Sequence, residues 1–222
     1  MNIACHVAQM AEKLTPAFAV IADAMPPTVR GLLVDGREPT SVGTDELLAE
    51  LKVPSLTGAT IMSEPAVLSP RSCAVLRDAV DVKRSESVDT VDGAPEHQLN
   101  LSLKELASLV GTEAASVLCA LPVEFVRRTG SMSAEDVQVE PHNIFVRRYT
   151  GSTRPWNPFH NDRAALTVNV ALSDDRAHGG GKLLAILDGQ VKRTPDLFAT
   201  PLQRSSSTSH PTGSAGEVGC SC

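Results

Sequence analysis

His160 and Asp162 stand two positions apart in the segment Asn157–Arg163, reading NPFHNDR. In extended backbone, side chains two residues apart leave the same face, so one imidazole and one carboxylate can reach a single ion. Such a pair supplies two of the three ligands of a 2-His-1-carboxylate set. That set leaves metal positions open for a co-substrate and oxygen together, and it suits iron(II). An H-x-D spacing also arises without chemistry, as a loop histidine beside an aspartate that caps a turn, so the pair alone leaves both readings open. The remaining candidates are thinner. His178 falls in an acidic turn and reads as a surface residue. Cys220 and Cys222 form a C-x-C, but no second thiol pair or histidine stands beside them in sequence to complete a zinc site, and an incidental tail is the simpler reading.

The elements that must hold His160 and Asp162 are strands. Asn143–Tyr149 is rich in β-branched and aromatic residues, and Leu166–Leu172 alternates Leu166, Val168, Val170 and Leu172 against Thr167, Asn169 and Ala171. Period two over that run predicts a half-buried strand. Leu183–Leu187 is a further short strand, entered through the turn Gly179–Gly181. Helices come first. Residues 1–25 carry Val7, Met10, Ala11 and Leu14 at helical spacing before Pro26 and Pro27, and Thr44–Lys52 predicts a helix capped by Thr44. Ser69 and Pro70 open a helix over Pro70–Asp81, and Ser102 with Glu105 forms a capping-box pattern. Glu113–Leu121 predicts a third helical run that stops at Pro122. The polar stretches 83–96 and 130–140 read as loops. This order predicts an α+β fold with a jelly-roll core (a double-stranded β-helix) preceded by helices. Residues 1–65 form an N-terminal helical or irregular extension, 66–204 the main domain, and 205–222, dominated by Ser, Thr, Gly and Cys, a disordered or atypical tail.

Composition narrows the function. With 42% hydrophobic and 21% charged residues the chain can bury a core, and its net charge of -6 leaves no basic face for nucleic acid. No apolar run reaches the roughly 18 residues that a membrane span needs. Five cysteines at scattered spacings argue for a reducing compartment, and with no basic region ahead of an apolar run at the N-terminus the expected location is cytoplasmic.

Taken together, FVRRY at 145–149, HND at 160–162, LTVNVALSD at 166–174 and GGGKLL at 179–184 fall in an order and spacing that resembles the catalytic core of the prolyl 4-hydroxylase and lysyl hydroxylase group of iron(II)- and 2-oxoglutarate-dependent oxygenases. VLSPRSCAVLRDAVD at 67–81 resembles the leader helix of that group. The resemblance covers about two thirds of the chain. It implies Fe(II) as cofactor, 2-oxoglutarate as co-substrate, ascorbate as a reductant, and hydroxylation of a peptidyl or small-molecule substrate with release of succinate and CO2. It assigns His160 and Asp162 to the metal and Tyr149 to the co-substrate pocket. Tyr149 also reads as a core aromatic, and Asn169 either faces the pocket or solvent. The family pattern requires a second histidine downstream and then a basic residue. His210 stands at a fitting separation for the ligand, although a His-Pro pair at a non-ligand position is the alternative match, and no Lys or Arg follows Arg204. Lys182 is the substitute anchor for the co-substrate carboxylate. The alternative to an active enzyme is a catalytically inactive relative that serves as a binding or oligomerisation module; a chance H-x-D in an unrelated jelly roll is the third reading.

Overall fold

Ile3, Ile144 and Val168 stand side by side in adjacent strands of one sheet and are all buried. The computed structural model describes residues 2–8, 14–52, 61–83, 88–89, 91–137, 143–160, 162, 164–174, 178, 183–187, 189–193 and 216–221, with the backbone alone for 2, 4–8 and 216–221. Strands β1 (Asn2–Ala8), β2 (Ile61–Pro65), β3 (Gln98–Leu101), β4 (Asn143–Tyr149), β5 (Leu166–Ala171) and β8 (Gly216–Ser221) make a six-stranded sheet in the order β2-β8-β5-β1-β4-β3. Strands β6 (Leu184–Leu187) and β7 (Gln190–Arg193) form a separate hairpin. Helices are α1 (Pro16–Ala24), α2 (Pro27–Leu33), α3 (Thr44–Leu51), α4 (Pro70–Lys83), α5 (Leu103–Val110) and α6 (Thr112–Thr129).

Alternation divides the sheet into two chemically different faces. Leu99 pairs with Val146, Ile144 with Ile3, and Ile3 with Val168; these residues, with Val170, pack in one core with Leu76 and Val80 of α4, Leu106 of α5, and Leu118, Phe125 and Val126 of α6. The opposite face carries Gln98, Phe145, Arg147, Tyr149, Thr167 and Asn169. Helices α2 and α3 pack with β6 and β7 in a second apolar cluster, and Phe18 and Ala22 of α1 bury against Ala94 and Trp156 in a third.

The fold is mixed helix and strand. β4 matches the strand expected over 143–149, β5 ends one residue short of the expected Leu172, and β6 starts one residue after Leu183. The Ser69 hydroxyl accepts from the Ser72 amide at 3.0 Å at the start of α4, and the Ser102–Glu105 capping box is formed at α5. Three local expectations are corrected. The helix expected within residues 1–25 begins only at Pro16, because residues 2–8 pair between β4 and β5, and tertiary pairing outweighs a weak helical period. Thr44 is the first helical residue of α3 rather than its cap, the cap position being Gly43. α6 runs through Pro122 to Thr129. The lost N–H bond and ring clash cost about 3 kcal/mol, offset by burying Phe125 and Val126 beyond the proline. The glycine turn at 179–181 lies outside the described residues. Four of the five pairings in the large sheet are parallel (β2-β8, β8-β5, β5-β1, β1-β4), whereas a jelly roll is built of antiparallel strands. The parallel partners come from residues 2–8, 61–65 and 216–221, so both chain ends contribute strands to the sheet that holds β4 and β5.

Candidate functional site

Between β4 and β5 the chain leaves the sheet, and none of the described residues of 150–165 is in a helix or strand. His160 and Asp162 lie on this connection. The imidazole Nδ1 stands 2.7 Å from the Pro158 carbonyl, and Nε2 stands 3.2 Å from Asp162 Oδ1. A carbonyl can only accept, so Nδ1 carries the hydrogen. In the neutral ring Nε2 is then a lone pair aimed at a carboxylate oxygen, and the two repel unless a cation joins them. A proton is one such cation: the Asp162 carboxylate, helped by the Pro158 carbonyl, holds the His160 pKa above the usual histidine range against the opposing effect of burial. A metal ion is the other. Two donors bound to one ion at about 2.1 Å, subtending roughly 90–110°, stand about 3.0–3.4 Å apart, and the observed separation falls in that interval. With side chains 33% and 36% exposed, both groups remain reachable from solvent. The donor set therefore fits a divalent metal as two of its ligands.

No third ligand completes the set among the described residues, which contain no group of three His, Cys, Asp or Glu able to hold an ion. His210 and Lys182 lie outside the described residues. His178 is half-buried in the connection between β5 and β6. Tyr149 and Asn169, expected on the co-substrate pocket, both belong to the polar face of the sheet and are half-buried there. Burial pushes the Tyr149 phenol up, and the Arg147 guanidinium beside it works in the opposite sense. Comparison with protein-family models, curated proteins and solved structures gave no match.

Beside this pair lies a buried ionic cluster that the sequence did not announce. Arg154 is 0% exposed, and its guanidinium donates to Asp89 at 3.3 Å, Asp92 at 3.0 Å and Asn157 Oδ1 at 3.1 Å. Arg147 donates to Gln98 at 2.7 Å and pairs with Asp89 at 2.8 Å and Glu96 at 3.4 Å. Asp89 is 3% exposed and thus shared by two guanidiniums. Its loop is shaped by Asx-type turns, with the Val91 amide donating to Asp89 Oδ1 at 2.7 Å and the Ala94 amide to Asp92 Oδ1 at 3.0 Å. The only hint in sequence is the D-x-x-D-G of residues 89–93 inside a stretch read as loop; nothing local points to partners 58 to 65 positions away. Formal charges sum to one negative, two guanidiniums against Asp89, Asp92 and Glu96, so the cluster is not a receptor for a further anion.

Proposed function

We propose that this chain is an iron(II)- and 2-oxoglutarate-dependent oxygenase of the prolyl/lysyl hydroxylase kind, acting on a peptidyl or small-molecule substrate with release of succinate and CO2. The observation that carries the reading is the confrontation of the His160 Nε2 lone pair with Asp162 Oδ1 at 3.2 Å, in a ring whose other nitrogen is committed to the Pro158 carbonyl. When bound, Fe(II) would couple oxidation of a substrate C–H bond to oxidative decarboxylation of 2-oxoglutarate. In this reading His160 and Asp162 hold the metal with His210 as third ligand, and the Pro158 carbonyl fixes the ring hydrogen on Nδ1, so that Nε2 is the nitrogen turned to the metal. Tyr149 and Asn169 line the co-substrate side from the polar face of the sheet. Arg147 and Arg154 are already neutralised, so the co-substrate carboxylate takes its cation elsewhere, and Lys182 is our candidate.

The second reading is a catalytically inactive relative acting as a binding or interaction module. It is favoured by the described residues offering no group of three His, Cys, Asp or Glu able to hold an ion. Anaerobic titration of the chain with Fe(II), with and without 2-oxoglutarate, separates the two. A weak visible charge-transfer band that His160→Ala abolishes supports the oxygenase. Weak iron binding with no band in the wild-type chain refutes it and leaves the binding module.

A further inference from the structure

None of the described residues of the connection that carries His160 is in a helix or strand, so something other than backbone pairing must aim its ring. Arg154, six residues earlier, is the largest fully buried side chain of the described residues. Its anchor is remote in sequence: Asp89 and Asp92 take Nη2 and Nη1 at 3.3 and 3.0 Å, and Asp89 is itself tied to the sheet through Arg147 at 2.8 Å. From that anchor Nη2 also reaches forward to Asn157 Oδ1 at 3.1 Å, which closes the segment 154–157 on itself. Pro155 within the closed segment and Pro158 just after it restrict φ. The next carbonyl, that of Pro158, accepts the His160 Nδ1 hydrogen at 2.7 Å. Trp156, within the same segment, is buried edge-on against Phe18 with ring centroids 5.9 Å apart. A continuous path therefore runs from the sheet through Asp89, Arg154, Asn157 and Pro158 to the ring whose Nε2 faces Asp162.

We infer that Arg154 is a positioning residue for His160, acting through Asn157 and the Pro158 carbonyl, and that its carboxylate partners exist to hold it rather than to bind a ligand. Two facts select this role. The cluster carries a net negative formal charge, which opposes capture of an anion, and Arg154 has no exposed surface to offer a substrate. Outer groups that fix the tautomer and direction of a metal-binding histidine typically change metal affinity about 10–100-fold when removed. The metal readout rests on the function proposed above; the positioning itself does not.

The test severs the relay without touching the ion pairs. Asn157→Ala removes one of the two acceptors of Arg154 Nη2 and leaves Asp89 and Asp92 in place; Asn157→Asp restores an acceptor oxygen. Two measurements are made on the full chain: backbone amide hydrogen exchange over 154–160, and affinity for Co(II) alone. Expected is faster exchange in Asn157→Ala confined to that segment, with α4 and α6 unchanged, Co(II) affinity about tenfold weaker, and recovery of both in Asn157→Asp. Arg154→Met should give the larger effect, and if that variant fails to fold, the Asn157 pair still decides. Exchange and Co(II) affinity of Asn157→Ala equal to wild type would overturn the inference. Should the wild-type chain bind no Co(II) while exchange responds as expected, the metal reading falls and the positioning stands.

Discussion

Replacing Asp89 by Asn keeps the shape of the side chain and removes one charge from the centre of the cluster. In the native chain the carboxylate accepts from the Val91 amide at 2.7 Å and faces Arg147 at 2.8 Å and Arg154 at 3.3 Å. Both guanidiniums share Oδ2 and the Val91 amide uses Oδ1, so the single amide oxygen of Asn keeps either the pair of guanidiniums or the amide, and its NH2 then confronts the donors left over. Breaking a buried ion pair by removing one partner costs about 3–5 kcal/mol when the other charge is stranded. Here neither guanidinium is fully stranded: Arg147 retains Glu96 and Gln98, and Arg154 retains Asp92 and Asn157. The lower end, about 3 kcal/mol, is therefore expected. At about 2–4 °C per kcal/mol for a chain of this size, the melting temperature should fall by about 6–12 °C. Asp81 supplies the control, since it pairs with Arg148 at 2.6 Å but its side chain is 47% exposed. Water screens that pair, and Asp81→Asn should cost less than about 1 kcal/mol. Thermal unfolding followed by circular dichroism measures both. A drop for Asp89→Asn no larger than that for Asp81→Asn would refute the argument that burial sets the worth of this cluster.

Two shorter predictions concern the metal pair and the core. The His160 pKa lies above its ordinary value, chiefly through Asp162, so the metal-free chain gains stability from the pair below about pH 6.5 and loses it as pH rises through the raised value. Asp162→Asn should therefore destabilise the metal-free chain at about pH 5.5 and be neutral at about pH 8.5, with a difference under about 1 kcal/mol because both groups are a third exposed; a pH-independent difference in melting temperature would contradict this. Leu118→Ala empties a fully buried site between α6 and the apolar face of the sheet and should cost about 3 kcal/mol in urea unfolding, whereas a cost below about 1 kcal/mol would mean that the helices do not seal that face.

The two candidate metal ligands were legible because a spacing of two needs no tertiary information beyond locally extended backbone. Tyr149 and Asn169 were legible as residues of the strands on either side. Their shared face follows from β1 lying between β4 and β5, with Ala4 opposite Asn169 and Ala8 opposite Tyr149. That insertion could not be read from residues 1–25, where Val7, Met10, Ala11 and Leu14 repeat at helical spacing while the hydrogen-bonding partners that make a strand lie more than 130 residues away. Pro122 shows the same limit from the other side, since a local breaker was outvoted by burial that only packing creates.

What the sequence by itself determined are the properties that short-range chemistry sets: caps at Ser69 and Ser102, β-branched and aromatic content in β4, period two in β5, and a histidine and a carboxylate two positions apart. The tertiary structure alone decided which residues stand behind that histidine. Asp89 and Arg154 meet across 65 positions, and each reads in isolation as an ordinary charged loop residue. Their pairing arises because both are driven into the same dry space, where an unpartnered charge is too costly to leave and only the opposite charge from elsewhere in the chain can satisfy it.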